Sequence, residues 1–379
     1  MVITKLELGG AQRHVLTIAR ELPKDTYEVT LISSSEGELL DESRKISSVR
    51  IITVPNLVRE LSPFNDLKAY LELERLFKLE NFDVVHTHSS KAGILGRWAA
   101  RSARVTNIIH TVHGFPFHPF QPAWLRRLYI ALERSAARAC QALIVVTPAD
   151  QEKGLNAGVG RLDQYVTIRA GIDFSQLTPV PVTQKHHLKT SLGIPSDHFV
   201  IGTMAVLKPQ KAPLDFVRMV HKFVQLNTDI PITFIYVGVG EMEQSFLKAI
   251  QQFGLEGKIK WLGRWSKPLN EFYGLLDLFV LTSLWEGLPG VIIEAQTMGV
   301  PILATGVDGS REFIRDGQTG WITPPAEPAL MAEKILKIIH NAPARTTISH
   351  QAKASLAQEF EQSVMVSRIH QLYQQLSKG

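Results

Sequence analysis

The sequence predicts an α/β protein of two domains, each a doubly wound parallel sheet with helices on both faces. Two observations predict this class: short apolar segments alternate with helical segments, and the alternation stops at a polar, proline-containing interval and then starts again. At 379 residues the chain is also long for one hydrophobic core. Two such halves are expected to face a cleft, which is a usual ligand site.

The first series of elements fills residues 1–180. Its first strand is a stub at Val2-Ile3, close to the Gly9-Gly10 turn, so this strand is either truncated or naturally short. Apolar runs predict further strands at Tyr27–Ser33, Arg50–Pro55, Asp83–His88, Asn107–His113 and Ala142–Thr147. Helical spacing predicts helices at Ala11–Glu21, Leu67–Leu79, Lys91–Arg104 and Trp124–Arg138.

A linker and a second series follow. Thr178–Pro181 and the polar run Thr183–Lys189 predict the linker. Predicted strands are Phe199–Ala205, Thr233–Val237, Ile259–Leu262, Leu278–Thr282 and Pro301–Thr305, and predicted helices are Leu214–Leu226, Met242–Phe253, Asn270–Leu275 and Val291–Met298. The second domain is therefore placed at 181–355. Apolar residues at helical spacing predict a C-terminal amphipathic helix within 356–379, packed on one of the domains.

Composition narrows the class of protein. The single cysteine, Cys140, excludes a disulfide framework and a cysteine-rich zinc site. The sequence has no apolar run near the roughly 20 residues that cross a bilayer, and its N-terminus has no signal-peptide pattern. A cytoplasmic protein is expected.

The charge is unevenly placed. Residues 91–138 contain eight Lys or Arg and one acid, Glu133, so they carry +7 while the whole chain carries +5. Aromatic residues are interleaved with these charges, which suits peripheral contact with an anionic membrane or an acidic ligand. The alternative is a solvated basic helix over inward-pointing aromatics. Because no RNA-binding or zinc-finger pattern is present, no nucleic-acid partner is expected.

Chemistry is expected beyond the carboxyl ends of the strands. After the strand ending near residue 282, Glu286 lies in a Gly/Pro loop and Glu294 lies early in the next helix. The free N–H groups at the start of that helix, at Gly290 and Val291, could bind an anion, and a buried glutamate beside them could bind sugar hydroxyls. Alternatively, Glu294 only complements the helix dipole and Glu286 is a surface acid.

Three other strand ends carry candidate residues. Lys208 and Lys211, in a proline-rich loop before a helix, suit a diphosphate, or are solvated loop lysines. His113 ends a strand and could hydrogen-bond or move a proton, or be a core histidine. His86 and His88 form a His-x-His pair, but no carboxylate or cysteine cluster accompanies it and the sequence has no Asp-x-Asp pair. No metal site is therefore predicted.

Together these motifs resemble glycosyltransferase family 4, a retaining family with the GT-B fold of two Rossmann-like domains. The most specific signature is the pair Glu286-x₇-Glu294. Supporting motifs are Gly-Gly-Ala-Gln-Arg-His at 9–14, Asp-Val-Val-His-Thr-His at 83–88, Ala-Gly-Ile-Asp at 170–173, Pro-Gln-Lys at 209–211, Leu-Gly-Arg at 262–264 and the 309–320 run with Gly309, Glu312 and Asp316-Gly317. The segment His113–Phe117 is most similar to bacterial exopolysaccharide, capsule and lipopolysaccharide members.

The resemblance implies transfer of a hexose from a nucleotide diphosphate sugar, UDP being the family-weighted choice, to a glycan or polyprenyl-linked acceptor. No cofactor or metal is implied. Peripheral attachment to the inner face of the cell membrane through 91–138 is a further expectation. The implied catalytic residues are His113, Glu286 and Lys211, and the implied donor-binding residues are Gly10, Lys208, Lys211, Gly263, Arg264, Gly290, Val291 and Glu294.

The resemblance also implies individual roles. Lys211 would neutralise the leaving diphosphate, Glu294 would bind the ribose and Glu286 the sugar hydroxyls. The backbone of 262–264 would contact the base, and His113 and Gly10 would close over the sugar and phosphate. The family usually has an arginine five positions before the lysine, where this sequence has Val206, and Lys208 could supply that charge. Two alternatives remain: a nucleotide-sugar epimerase of the same fold, and a non-catalytic nucleotide-sugar-binding subunit.

Overall fold

The computed structural model describes residues 1–226, 229–356 and 358–378. It divides into two compact units: unit 1 is Met1–Gly171 with Glu359–Gly379, and unit 2 is Ile172–Gln358. The division falls at 171/172 and not at the expected 180/181. The reason is that Asn270 Nδ2 donates to the Thr178 carbonyl oxygen over 3.2 Å and Val180 packs against Gly274, which ties the stretch after Gly171 to unit 2. Ala357 and Gly379, within the predicted terminal segment, lie outside the described residues.

Unit 1 contains every strand and helix predicted for the first half, with ends shifted by a few residues. Its strands are β1 Val29–Ser33, β2 Val49–Thr53, β3 Val84–His88, β4 Asn107–Val112, β5 Ala142–Val145 and β6 Tyr165–Thr167. Its first helices are α1 Gly10–Glu21, α2 Leu40–Arg44, α3 Pro63–Glu80, α4 Ser90–Ser102, α5 Ala123–Ala137 and α6 Pro148–Asn156. The elements α2, α6 and β6 were not predicted.

The N-terminal stub joins the two parts of the unit 1 sheet, between β1 and β3. Val2 pairs in parallel with Ile32 of β1 and with Thr87 of β3, so the order is β2-β1-stub-β3-β4-β5-β6. The backbone N–H of Val2 donates to His86 O over 2.9 Å, and that of His88 to Val2 O over 2.7 Å. Strand order reverses between the stub and β3, which is the switch point where such sheets bind ligands.

Unit 2 is a six-stranded parallel sheet with its own helices. Its strands are β7 Phe199–Met204, β8 Ile232–Val237, β9 Ile259–Trp261, β10 Leu278–Leu281, β11 Ile302–Thr305 and β12 Trp321–Thr323. Its helices are α7 Val182–Ser191, α8 Pro213–Gln225, α9 Glu243–Gln252, α10 Leu269–Leu275, α11 Gly290–Thr297, α12 Ser310–Phe313, α13 Pro328–His340 and α14 Ala342–Ala354. The sheet order is β12-β11-β10-β7-β8-β9, so the chain reverses between β7 and β10. Both predicted doubly wound sheets are therefore confirmed.

The predicted linker at Thr183–Lys189 is wrong, because this segment is most of helix α7. Two contacts with unit 2 hold the helix: Lys185 Nζ lies 2.9 Å from Asp277 Oδ1, and Leu188 is buried. A polar composition hides such contacts, since they join residues far apart in sequence.

The predicted terminal helix is present as α15, Gln362–Ser377, and it packs on unit 1. Its residues Met365, Ile369 and Leu372 are buried in one hydrophobic cluster with Ile109 and Ile144. Among the helices of the described ranges, none is both long and apolar enough to cross a membrane.

Candidate active site

The loops after β7 and β10 lie on either side of the switch point of unit 2, and hydrogen bonds join them. The backbone N–H of Leu284 donates to Gln210 O over 2.8 Å, and Thr282 Oγ1 donates to Lys211 O over 2.9 Å. These bonds fix the turn Pro209–Lys211, after which Ala212 has a left-handed φ of 46°. The Lys211 side chain is therefore presented at a defined position on the carboxyl edge of the sheet.

Lys211 and Glu286 form a partly buried ion pair. Lys211 Nζ lies 2.5 Å from Glu286 Oε1, with side chains 16% and 4% exposed. Ser283 Oγ donates to the same carboxylate oxygen over 2.5 Å, and the backbone N–H of Glu286 donates to Asp308 Oδ2 over 3.0 Å. Because each charge compensates the other, the ammonium is held in place at a site from which water is largely excluded. A bound anion would compete with Glu286 for it.

Helix α11 presents a second part of this site. In the described chain no side chain caps its N-terminus at Gly290, so the N–H groups at Gly290 and Val291 can donate to a ligand. Glu294, one turn further on, is half-buried and accepts a hydrogen bond from Tyr273 Oη over 2.5 Å. Tyr273 also donates to Val291 O over 3.4 Å, and so it fixes the direction of the Glu294 carboxylate.

The remaining donor-side candidates of unit 2 lie on the same edge of its sheet. Lys208 is part-exposed in the loop after β7, which also contains Val206. Gly263, with φ of 58°, and exposed Arg264 follow β9. Gly263 O accepts a hydrogen bond from the N–H of Gly238 over 2.7 Å, which links the ends of β8 and β9.

Gly10 and His113, the two candidates of unit 1, flank its switch point. Gly10 is exposed at the start of α1, and a Cβ there would meet no atom within 4 Å, so the backbone is open to a ligand. His113 follows β4 and is part-exposed, and Gly114 has φ of 104°, which favours glycine. His113 Nε2 lies 3.2 Å from Nδ1 of His88, the last residue of β3.

His14, on α1, completes a group with these two, named here the histidine cluster: His14, His88 and His113. The ring centroids of His14 and His113 lie 4.8 Å apart, and one ring nitrogen from each of the three residues lies within 4.8 Å of the others. Desolvation lowers the pKa of His113 to about 4 and holds the pKa values of His14 and His88 well below their ordinary value. All three imidazoles are therefore neutral at pH 7.

The basic stretch 91–138 is less basic at the surface than its composition indicates. Arg97 is buried and its Nη2 lies 2.6 Å from Glu133 Oε2, while Lys91 Nζ lies 2.7 Å from Asp66 Oδ1. Six arginines remain exposed: Arg101, Arg104, Arg126, Arg127, Arg134 and Arg138. Of the aromatics, Phe120 and Trp124 are exposed, whereas Phe115 and Phe117 are buried.

Sequence reasoning assigned no role to three residues of these sites. Ser283 adjoins the Glu286 motif, and His14 ends the Gly-Gly motif at 9–14, so proximity to a motif was a usable signal for both. Tyr273 lies 21 residues before Glu294, in a helix with no motif, and only the fold brings them together.

Comparisons with protein families and with individual proteins agree with the fold and the motifs described above. The family model "Glycosyltransferase Family 4" matches residues 8–176, and "Glycosyl transferases group 1" matches residues 184–355. The chain is 34% identical over 317 residues to an Escherichia coli UDP-Gal:alpha-D-GlcNAc-diphosphoundecaprenol alpha-1,3-galactosyltransferase, covering 83% of this chain and 81% of that protein. It is 24% identical to the capsular polysaccharide biosynthesis glycosyltransferase CapM of Staphylococcus aureus, covering 95% and 96%.

Solved structures show the same architecture. Anabaena HepE in complex with UDP-glucose superposes with a TM-score of 0.83 at 22% identity, covering 99% of this chain and 98% of that one. WaaG, a glycosyltransferase involved in lipopolysaccharide biosynthesis, gives 0.79 at 15% identity, with 98% of each chain covered. The predicted GT-B fold is thereby confirmed, and the chain belongs to glycosyltransferase family 4.

Proposed function

We propose that this glycosyltransferase moves a hexose, with retention, from a UDP-sugar to a polyprenyl-diphosphate-linked glycan in cell-surface polysaccharide synthesis. The observation that carries the proposal is the partly buried Lys211–Glu286 pair at the switch point of unit 2, beside the N-terminal N–H groups of α11. The substrate classes are supported by the name of the E. coli relative, which includes UDP-Gal and a diphosphoundecaprenol-linked sugar.

Breaking the bond between the sugar C1 and the diphosphate oxygen leaves an oxocarbenium-like sugar and a more negative leaving group. Fixed positive groups aimed at that oxygen lower the barrier, because they need no reorganisation as the charge develops. When the donor binds, and before the bond breaks, Lys211 Nζ would turn from Glu286 to the diphosphate, where the N–H groups of Gly290 and Val291 assist. The acceptor hydroxyl oxygen bonds to C1 on the same face, and its proton passes to the departing phosphate oxygen.

Other residues would bind and orient the donor. Glu294, held by Tyr273, would accept hydrogen bonds from the ribose hydroxyls, and Glu286 from hydroxyls of the sugar. The backbone at 262–264 would contact the base, and Lys208 would add charge in place of the arginine usual at position 206. In unit 1, we assign Gly10 to phosphate contact and His113 to the sugar.

Substitution of Lys211 tests the leaving-group assignment. Lys211→Met is expected to lower kcat by about 10²-fold, the scale of losing one oxyanion-stabilising donor, because the leaving charge loses its ammonium partner. The measurement is UDP release with and without acceptor, after a panel of nucleotide sugars has been screened by thermal shift to identify the donor.

Lys248→Met is the control, because it removes an exposed lysine of α9 in unit 2 to which no donor contact is assigned. A folded Lys211→Met protein with near wild-type kcat would reject the assignment. If the sugar of the donor were altered without an acceptor and without any transfer product, the epimerase would be supported instead. If the donor bound without turnover, the non-catalytic subunit would be supported.

A membrane contact would bring the enzyme to a polyprenyl-linked acceptor. On α5, the exposed face combines Trp124 and Leu128 with Arg127, Arg134 and Arg138, a mixture that suits the interface of an anionic membrane. We propose that this face binds the cytoplasmic surface of the cell membrane.

Liposome sedimentation tests this contact. The wild type should bind vesicles containing phosphatidylglycerol, and binding should weaken with added salt and in a Trp124→Ser/Arg127→Gln variant. Arg315→Gln/Arg368→Gln, which removes two exposed arginines elsewhere, should bind normally. Equal binding to neutral and anionic vesicles at low salt would contradict the proposal.

A further inference from the structure

The histidine cluster contains buried nitrogen atoms that lack hydrogen-bond partners. Within the described ranges, neither ring nitrogen of His14 has a partner, nor has Nε2 of His88. These residues are 4% and 0% exposed. Since buried polar atoms are nearly always hydrogen-bonded, the two unpartnered nitrogens of His14 indicate a site built for a ligand, whereas Nε2 of His88 is not the nitrogen that faces His113.

The spacing of the cluster suits a metal ion. In a tetrahedral zinc site with Zn–N bonds near 2.0–2.1 Å, ligand nitrogens are about 3.3 Å apart. The distance between His88 Nδ1 and His113 Nε2 is already 3.2 Å, and ring nitrogens of all three residues lie within 4.8 Å of one another. Small side-chain rotations that bring the most distant nitrogens about 1.5 Å closer would therefore place all three at the spacing of zinc ligands.

The chemistry of the donors selects the class of ion. Neutral imidazole is a ligand for zinc, copper and nickel, whereas Mg²⁺ and Ca²⁺ prefer oxygen ligands. A free phosphate would instead be bound best by protonated rings.

We propose that His14, His88 and His113 bind one divalent transition-metal ion that prefers imidazole ligands, such as Zn²⁺. Because His113 is part-exposed, the ion has an access route and keeps a fourth position for water or an anionic oxygen. The His86 ring lies against the His88 ring, tilted by 37° with 4.1 Å between centroids. His86 is itself hydrogen-bonded to Tyr373 Oη and Thr111 Oγ1, which fixes this side of the site.

The charges around the site set its preference for a fourth ligand. Arg97, whose charge acts on the neighbouring His110, is paired with Glu133. A bound ion would keep its two positive charges, and it would favour an anionic oxygen in the open position.

Occupancy has a consequence for catalysis. Coordination uses the lone pair of a His113 nitrogen, so the ion is expected to inhibit sugar transfer. This consequence rests on the proposed role of His113, whereas the binding itself does not.

Calorimetric titration of the metal-free full chain with Zn²⁺ at pH 7 tests the site. The wild type should show one site with Kd in the micromolar range or tighter, and Mg²⁺ should give no comparable binding. His14→Gln should weaken Zn²⁺ binding at least tenfold. The matched control, His186→Gln/His187→Gln, removes two adjacent exposed imidazoles of α7 and should bind as the wild type does.

Wild-type affinity in a folded His14→Gln protein, or no binding above that of surface histidines, would overturn the proposal. The visible spectrum of Co²⁺ on the unaltered chain gives a test that does not depend on a variant: tetrahedral d–d bands support the site, and an octahedral spectrum contradicts it. If Zn²⁺ binds the wild type without inhibiting transfer, the metal site is supported and the proposed role of His113 is rejected.

Discussion

Tyr273 shows how one hydroxyl can control a binding carboxylate. Its Oη donates to Glu294 Oε2 over 2.5 Å, and its side chain is otherwise buried. Tyr273→Phe keeps the ring and removes only the donor, so Glu294 should lose its fixed direction toward the ribose. Ordering a freed side chain on binding costs about 0.5–1.5 kcal/mol, so the donor KM is expected to rise about two- to tenfold, with little change in kcat. Steady-state kinetics with the identified UDP-sugar measures both constants.

Tyr236→Phe is the control, because it removes the hydroxyl of another buried tyrosine of unit 2. Within the described chain the buried Tyr236 Oη has no hydrogen-bond partner. Its removal should leave KM unchanged and keep or raise Tm, since an unsatisfied buried hydroxyl destabilises the fold. An equal rise in the donor KM in both variants would show that the Tyr273 change loosens the packing of unit 2 in general. It would contradict a specific role in orienting Glu294.

At this scale, the sequence indicated the charged candidates of the proposed site but not the side chains that contact them. Glu286, Glu294 and Lys211 lie in motifs next to strand ends, where local pattern and chemistry are informative. Tyr273 and Asp308 reach the same residues through tertiary contacts across 21 and 22 positions, which no single-sequence periodicity encodes.

Helix α15 packs on unit 1, although it is separated from the rest of that unit in the sequence. It follows the whole of unit 2 in sequence, yet Ile369 is fully buried in a cluster of unit 1. Ile369→Ala should therefore destabilise unit 1, by about 3 kcal/mol, through lost apolar contact and the cavity left behind. Hydrogen exchange should increase in peptides that cover β5 and stay unchanged in peptides that cover β8.

Gln371→Ala, an exposed change on the same helix, should alter neither region. Greater exchange in β8 than in β5 for Ile369→Ala would contradict the assignment of α15 to unit 1.

The sequence predicted this helix from its apolar spacing but not the unit it packs on, because the spacing reports an apolar face and not its partner. Conversely, α7 was missed because its face is weakly apolar and an ion pair with Asp277 helps to hold it.

For the whole molecule, the doubly wound parallel class of the two sheets was the most predictable property and the division of the chain the least. Alternating strands and helices imply parallel sheets, and right-handed crossovers leave few possible orders. The 171/172 division depends instead on which unit the stretch near Val180 packs against. The stub at Val2 illustrates the same limit: its few residues carry little strand signal, yet their bonds to β1 and β3 place it inside the sheet, between those two strands.

The two units should respond differently to acid, because buried histidines are concentrated in unit 1. Desolvation places the pKa of His113 at about 4, below its ordinary value of 6.5. Between these values the unfolded chain binds a proton that the folded chain does not, so the free energy of unfolding falls as pH falls from 6.5 to 4. The loss from His113 alone is about 3 kcal/mol, and His14, His86, His88 and His110 act in the same direction.

In the described part of unit 2 the histidines are all at least partly exposed: His186, His187, His198, His221, His340 and His350. Hydrogen exchange at pH 7 and pH 5, corrected for the intrinsic rate, should therefore show protection lost in β3 and β4 before β8 and β10. His113→Asn, which removes one titrating ring, should reduce the pH dependence of unit 1 and leave that of unit 2 unchanged. Equal acid sensitivity of both units would show that surface carboxylates, and not the buried imidazoles, control the acid response.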